Sequence, residues 1–332
     1  MNKLSEIERK KIELEISEQL MISIAEDLPF IIKGSFLTKE YHKNPYARIE
    51  NGGDIDLILN RKLDLIHPIT SDNYYDIFMP QIDKNLQHEV TSILYKLEKI
   101  LDNKFDLIEQ PWFITALETE GYNNLLQDGE VELCLVNYAS DGDFLTIGLA
   151  IDYPINIVDN QPTMGTVVID IAINLPINFT PEEILYKTLD GREVKLKNTT
   201  PLLYQTAWKM HQTLCGPRIK DLDDLAVFLP HINFEDEETF KKFFDEIIKE
   251  CKLTPEENAN MLINNLIDLL SMDTSEYMKN KINAFEIDRY YYKLYNAYFQ
   301  ETLIADVCKN FHEWLHLCID CGKALQYIKG WD

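Results

Sequence analysis

The stretch that most constrains this chain runs from Phe30 to Leu59. Phe30-Ile-Ile-Lys-Gly-Ser35 is a short apolar run that stops at a glycine and a serine, the pattern of a strand breaking into a turn. The segment Arg48-Ile-Glu-Asn-Gly-Gly-Asp-Ile-Asp-Leu-Ile-Leu59 carries a second strand. In it Asp54 and Asp56 are two residues apart, so the strand period puts both carboxylates on one face. Like charges side by side on a sheet repel, and the usual compensation is a divalent cation with oxygen ligands, most often Mg²⁺. Gly34 lets a backbone N–H approach an anion closely, and Ser35 adds a hydroxyl donor. The combination reads as a phosphate cradle facing a metal pair. The plainer alternative is an Asp-x-Asp at a strand entry, bonded to local backbone beside Gly52-Gly53.

Gly34-Ser35 at a strand end, followed by Asp54-Ile-Asp-Leu57, resembles the DNA polymerase β-like nucleotidyltransferase superfamily. Arg48, between the two, narrows the resemblance to the AbiEii/AbiGii toxin family, whose usual Gly-Gly-Thr is Gly34-Ser35-Phe36 in this chain. The resemblance implies an α+β fold: a polymerase β-like mixed sheet with flanking helices over residues 1–178, then an all-helical domain over 179–332.

A chain of 332 residues suggests two domains, and 45% hydrophobic residues supply a full core. With 32 basic and 56 acidic residues the net charge is −24, which argues against an extended nucleic-acid surface but leaves room for a small basic pocket. Six scattered cysteines in a long chain point to reduced thiols and a cytoplasmic location. No apolar run approaches the ~18 residues of a membrane span, and the charged, helical start is unlike a signal peptide.

Residues 3–26 carry Leu4, Ile7, Ile12, Leu14, Ile16, Leu20 and Ile24 near helical spacing, which predicts one or two amphipathic helices on the sheet. Another helix is expected over 84–101, from Leu86, Val90, Ile93, Leu94, Leu97 and Ile100. Residues 130–138 and 144–152 read as a hairpin, and 165–173 as a further strand. Asp170 is an acid inside that β-branched run, and a buried Asp is rarely left unpaired. The superfamily places its third catalytic carboxylate on a neighbouring strand, which makes Asp170 the candidate, with Asp152 as competitor and a solvent-facing strand end as the plain reading. From Thr180 the pattern predicts helices: Thr180-Pro-Glu-Glu and Thr254-Pro-Glu-Glu are N-cap signatures, and Thr200-Pro201 starts a helix the same way.

The helix from Pro201 carries Leu202, Leu203, Thr206, Met210 and Leu214 on its apolar face, with Lys209 at the margin. After Gly216-Pro217 comes Arg218-Ile-Lys-Asp-Leu-Asp-Asp-Leu225, with Asp221 and Asp224 on one side of a second helix. This order resembles the family's later motifs, although Arg-x-Lys-Asp-x-x-Asp is also an ordinary salt-bridged helix start. By the resemblance Lys209 holds the triphosphate, and Asp221 accepts a proton from the acceptor or positions Arg218 and Lys209. Asp224 matches the motif's second acid, and Lys33, beside Gly34, joins Arg218 and Asp224 as a secondary candidate.

A rival pattern, His312-Glu313-Trp-Leu-His316, has zinc-peptidase spacing, with Glu313 as the base. It lacks the third ligand such enzymes take further downstream. A structural zinc with Cys318 and Cys321, or a chance match on a helix, are the other readings.

What the resemblance implies is transfer of a nucleoside monophosphate from an NTP to an acceptor hydroxyl on a tRNA 3′ end or a protein. Two Mg²⁺ ions would sit on Asp54, Asp56 and Asp170, with Gly34, Ser35, Arg48 and Lys209 on the phosphates. Such proteins act as toxins or in phage defence, some beside a cognate antitoxin. A catalytically inactive nucleotide- or partner-binding protein of the same fold is the alternative.

Overall fold

The computed structural model describes residues 5–42, 45, 49, 53–65, 79–105, 131–138, 144–158, 161–215, 224–225, 227–234 and 236–253. The chain divides into two compact units, 1–200 and 201–332.

The first unit is a seven-stranded mixed sheet with helices. Helix α1 (Glu6–Asp27) starts in a capping box: Ser5 Oγ accepts the Glu8 N–H, and the Glu8 carboxylate accepts the Ser5 N–H. It leads into β1 (Phe30–Lys33), which breaks at Gly34 into the single helical turn α2 (Ser35–Thr38). Then follow β2 (Ile55–Leu59), α3 (Met79–Phe105), β3 (Val131–Tyr138), β4 (Leu145–Val158), β5 (Gln161–Ile173), β6 (Glu182–Lys187) and β7 (Glu193–Thr199). The spatial order is β3-β4-β5-β2-β1-β7-β6. Strand β2 is antiparallel to β1 and parallel to β5, and β1 is parallel to β7.

One face of this sheet builds the core. Phe30, Ile32, Ile55, Leu57, Leu59 and alternate residues of β4 and β5 are buried together with Leu14, Ile16, Leu20 and Ile24 of α1 and Leu86, Val90, Ile93, Leu94 and Leu97 of α3. The helical spacing read from the sequence selected these buried residues of α1 and α3; of the other expected positions Ile12 and Ile100 are partly buried against the core, Ile7 is 73% exposed, and Leu4 lies outside the described residues. At the end of the central strands Asn174, at φ 56°, clasps the chain after β2: its side chain accepts the Leu63 N–H and donates to the Leu63 carbonyl, both at 2.8 Å.

One expectation is corrected. The Thr180-Pro-Glu-Glu signature opens no helix; it precedes the antiparallel hairpin β6–β7, and β7 joins the sheet beside β1. The alternation of Val194 and Leu196 with Glu193, Lys195 and Lys197 around an Asp190-Gly191 turn outweighs a local cap signal. Gly191 takes the positive φ (84°) such a turn needs. With these strands in the first unit, the two compact units meet between Thr200 and Pro201.

The described residues of the second unit are helical: α4 (Leu202–Cys215), a 3₁₀ turn (Leu229–His231) and α5 (Glu237–Leu253). On α4 the buried residues include Tyr204, Thr206, Ala207 and Met210, while Leu202 and Leu203 are only partly covered. Trp208 Nε1 donates to Glu246 at 2.8 Å, joining α4 to α5.

Candidate active site

The sheet's second face carries a charged row. Strand register sets Lys33 opposite Asp56, Asp56 opposite Asp170, and Asp170 opposite Gly148, across four neighbouring strands. Residues paired across a sheet share a face, so three side chains of opposed charge stand side by side. Gly148 leaves the far side of Asp170 without a side chain. Ile31, Ile58 and Ala172 are also buried but stand outside the core cluster.

Lys33 Nζ lies 3.0 Å from Asp56 Oδ1, with the two side chains 23% and 26% exposed. Gly34, at φ 84°, packs directly against this carboxylate: a Cβ added there would fall 2.0 Å from Asp56 Oδ2. The glycine therefore makes room for a strand carboxylate, a use that the phosphate-cradle reading did not supply. Burial, and after it the Asp56 charge, push the Asp170 carboxyl above its ordinary range, with Lys33 opposing. Among the described residues no hydrogen bond or ion pair reaches the Asp170 carboxylate.

Asp54 is exposed just ahead of β2. Among the described residues no group of three or more His, Cys, Asp and Glu side chains gathers as a metal site. Asp56 and Asp170 alone suit Mg²⁺, which takes hard oxygen ligands and is typically held by one or two carboxylates together with substrate phosphates. Ser35 opens α2, immediately after Gly34. Asp152 stands elsewhere on the sheet, opposite Thr166, whose hydroxyl donates to it at 2.6 Å.

No family model, curated protein or solved structure matches the chain.

In the second unit Lys209 Nζ lies 3.2 Å from Asp224 Oδ2, and the Asp224 side chain is fully buried. The two residues, read from the sequence as parts of two successive motifs, are thus joined as an ion pair. Arg48, Arg218 and Asp221 lie outside the described residues, as do His312, Glu313, His316, Cys318 and Cys321.

Lys33 is the residue that sequence reasoning undervalued. Its position at the last residue of β1 was visible, but its pairing depends on a register set across the loop to β2. Gly148 was missed for the same reason.

Proposed function

We propose that this chain is a Mg²⁺-dependent nucleotidyltransferase of the AbiEii/AbiGii type, within the polymerase β-like superfamily. The observation that carries the reading is the placement of Asp56 directly opposite Asp170 on parallel central strands, beside a glycine turn and away from the hydrophobic core.

In this reading Asp56 and Asp170, with Asp54 nearby, hold the metal, which would stabilise the attacking and leaving oxygens of an in-line displacement. Gly34 and Ser35 orient the triphosphate so that its α-phosphorus faces the acceptor hydroxyl. The acceptor oxygen forms the new bond to that phosphorus, the α–β bridging bond breaks, and pyrophosphate leaves with the electron pair. Asp170, completing the site, would also aid deprotonation of the acceptor hydroxyl. The parts of Arg48, Lys209, Asp221 and Arg218 rest on the resemblance alone. The acceptor is a tRNA 3′ end or a protein, and the biology is that of a toxin or phage-defence protein; resemblance is the support for both. One observation favours a second reading, nucleotide binding without turnover: an ammonium already neutralises Asp56.

The test is incubation with each α-³²P-labelled NTP and Mg²⁺, in the presence of total RNA or lysate protein, beside Asp56→Ala. Label should pass to one acceptor class, and the variant should lose on the order of a hundredfold or more of that activity. No transfer to any acceptor, with nucleotide binding retained, would move the assignment to the binding reading.

A further inference from the structure

We propose that Lys33 is a resident counter-cation: its ammonium occupies the Asp56 oxygen that a divalent ion must take, and its displacement sets how tightly the site binds metal. The inference rests on the metal-dependent reading above and deepens it. Asp56 Oδ2 lies against Gly34, where even a methyl group would collide, so Oδ1 is the oxygen that carries the cation, and Lys33 Nζ sits on it at 3.0 Å. Asp170 stands on the neighbouring strand in the same row. One positive charge thus faces two carboxylates. Without it they would repel with nothing between them; with it, a dication approaching Asp56 meets a like charge at contact distance. A lysine suits this exchange, since its charge is compact and rides on a flexible four-carbon stem that can swing off the carboxylate. The pair is partly exposed, so the ammonium can move into water rather than into the core.

The experiment measures Mn²⁺ binding to the full chain by the electron paramagnetic resonance signal of free Mn²⁺, with no nucleotide present. It compares the wild type with Lys33→Met, Lys33→Arg and Asp56→Asn. Lys33→Met should bind Mn²⁺ on the order of tenfold more tightly than wild type, and Mn²⁺ should raise its melting temperature by more than it raises that of the wild type. Lys33→Arg, which keeps the charge, should stay near wild type and confirm that charge rather than side-chain identity is read out. Asp56→Asn should lose the binding. Equal or weaker Mn²⁺ affinity in Lys33→Met, with Asp56→Asn still defective, would overturn the role of Lys33 and leave the metal site standing. No binding by any of the four, each with wild-type circular dichroism, would overturn the metal-dependent reading and this inference with it.

Discussion

Two of the lysine–carboxylate pairs in the first unit differ in how completely their carboxylates are met. In the buried one, Glu18 of α1 accepts a hydrogen bond from the Tyr186 hydroxyl at 2.6 Å and from the Leu189 N–H at 2.8 Å. Lys39 lies 3.8 Å from Glu18 and 3.3 Å from Glu40, donates to the Lys187 carbonyl and sits over the Tyr186 ring. Burial pushes the Glu18 carboxyl up and the Lys39 ammonium down, each against its partner's attraction. These contacts tie α1 and the turn after α2 to each other and to the β6–β7 hairpin. The other pair, Lys33 and Asp56, is partly exposed, and its one ammonium faces a second acid, Asp170, that has no such partners among the described residues. A buried carboxylate whose hydrogen bonds are met marks a fastening; an acid without such bonds at a solvent-reached sheet face marks a place where a ligand can supply them.

Removing one partner from each pair separates these roles. Glu18→Ala leaves the Tyr186 hydroxyl and the Leu189 N–H without their acceptor and Lys39 without one of its two carboxylates, and should cost about 3–5 kcal/mol in urea denaturation. The double variant Glu18→Met with Lys39→Met should recover part of that loss, because it removes the buried ammonium together with the carboxylate. Lys33→Met should cost under about 1 kcal/mol, since its pair is partly exposed. If both single variants lose the same stability, the distinction between fastening and site fails.

Gly34→Ala probes the site alone and should come next in size. The methyl group collides with Asp56 Oδ2 and demands a φ that alanine avoids, for a loss of about 1–3 kcal/mol. Because the carboxylate itself must shift, Mn²⁺ binding should fall as well. A loss of stability with metal binding intact would mean that the Gly34 contact does not position Asp56.

Much of this frame was legible in the sequence, for physical reasons that are local. The periodic faces of α1 and α3 and the β-branched runs of β2 and β5 announce burial directly, and Asp170 stood out as an acid within such a run. The β6–β7 hairpin was misread because Thr180-Pro-Glu-Glu satisfies a helix cap locally, while the decisive contact, Tyr186 on Glu18, spans 168 residues. Strands β4 and β5 run further than expected, to Val158 and from Gln161, past Pro154 and Pro162. Proline normally discourages a strand interior, and here the pairing shifts register just after Pro154. The charged row was the least legible feature, since no single segment contains it; it exists only once β1, β2, β5 and β4 are in register.

The smallest expected effect tests Asp170 itself. Burial first, and then Asp56, raise the Asp170 carboxyl above the ordinary value of 3.8, so the folded protein holds that proton more tightly than the unfolded chain does. The stability contributed by the group is therefore complete below about pH 3.8 and is lost as pH rises through the raised folded value. In metal-free buffer, the stability of the wild type minus that of Asp170→Asn should fall between about pH 3 and about pH 7, by under about 1 kcal/mol once solvent screening is counted. Subtracting the variant removes the contributions of Glu13, Glu18 and Glu182, whose carboxyls are also raised. In a Lys33→Met background the same difference should extend to higher pH, because the ammonium that opposes the shift is gone. A difference that stays flat with pH in both backgrounds would mean that Asp170 does not feel Asp56, and the row would then be no more than neighbouring charges on a sheet.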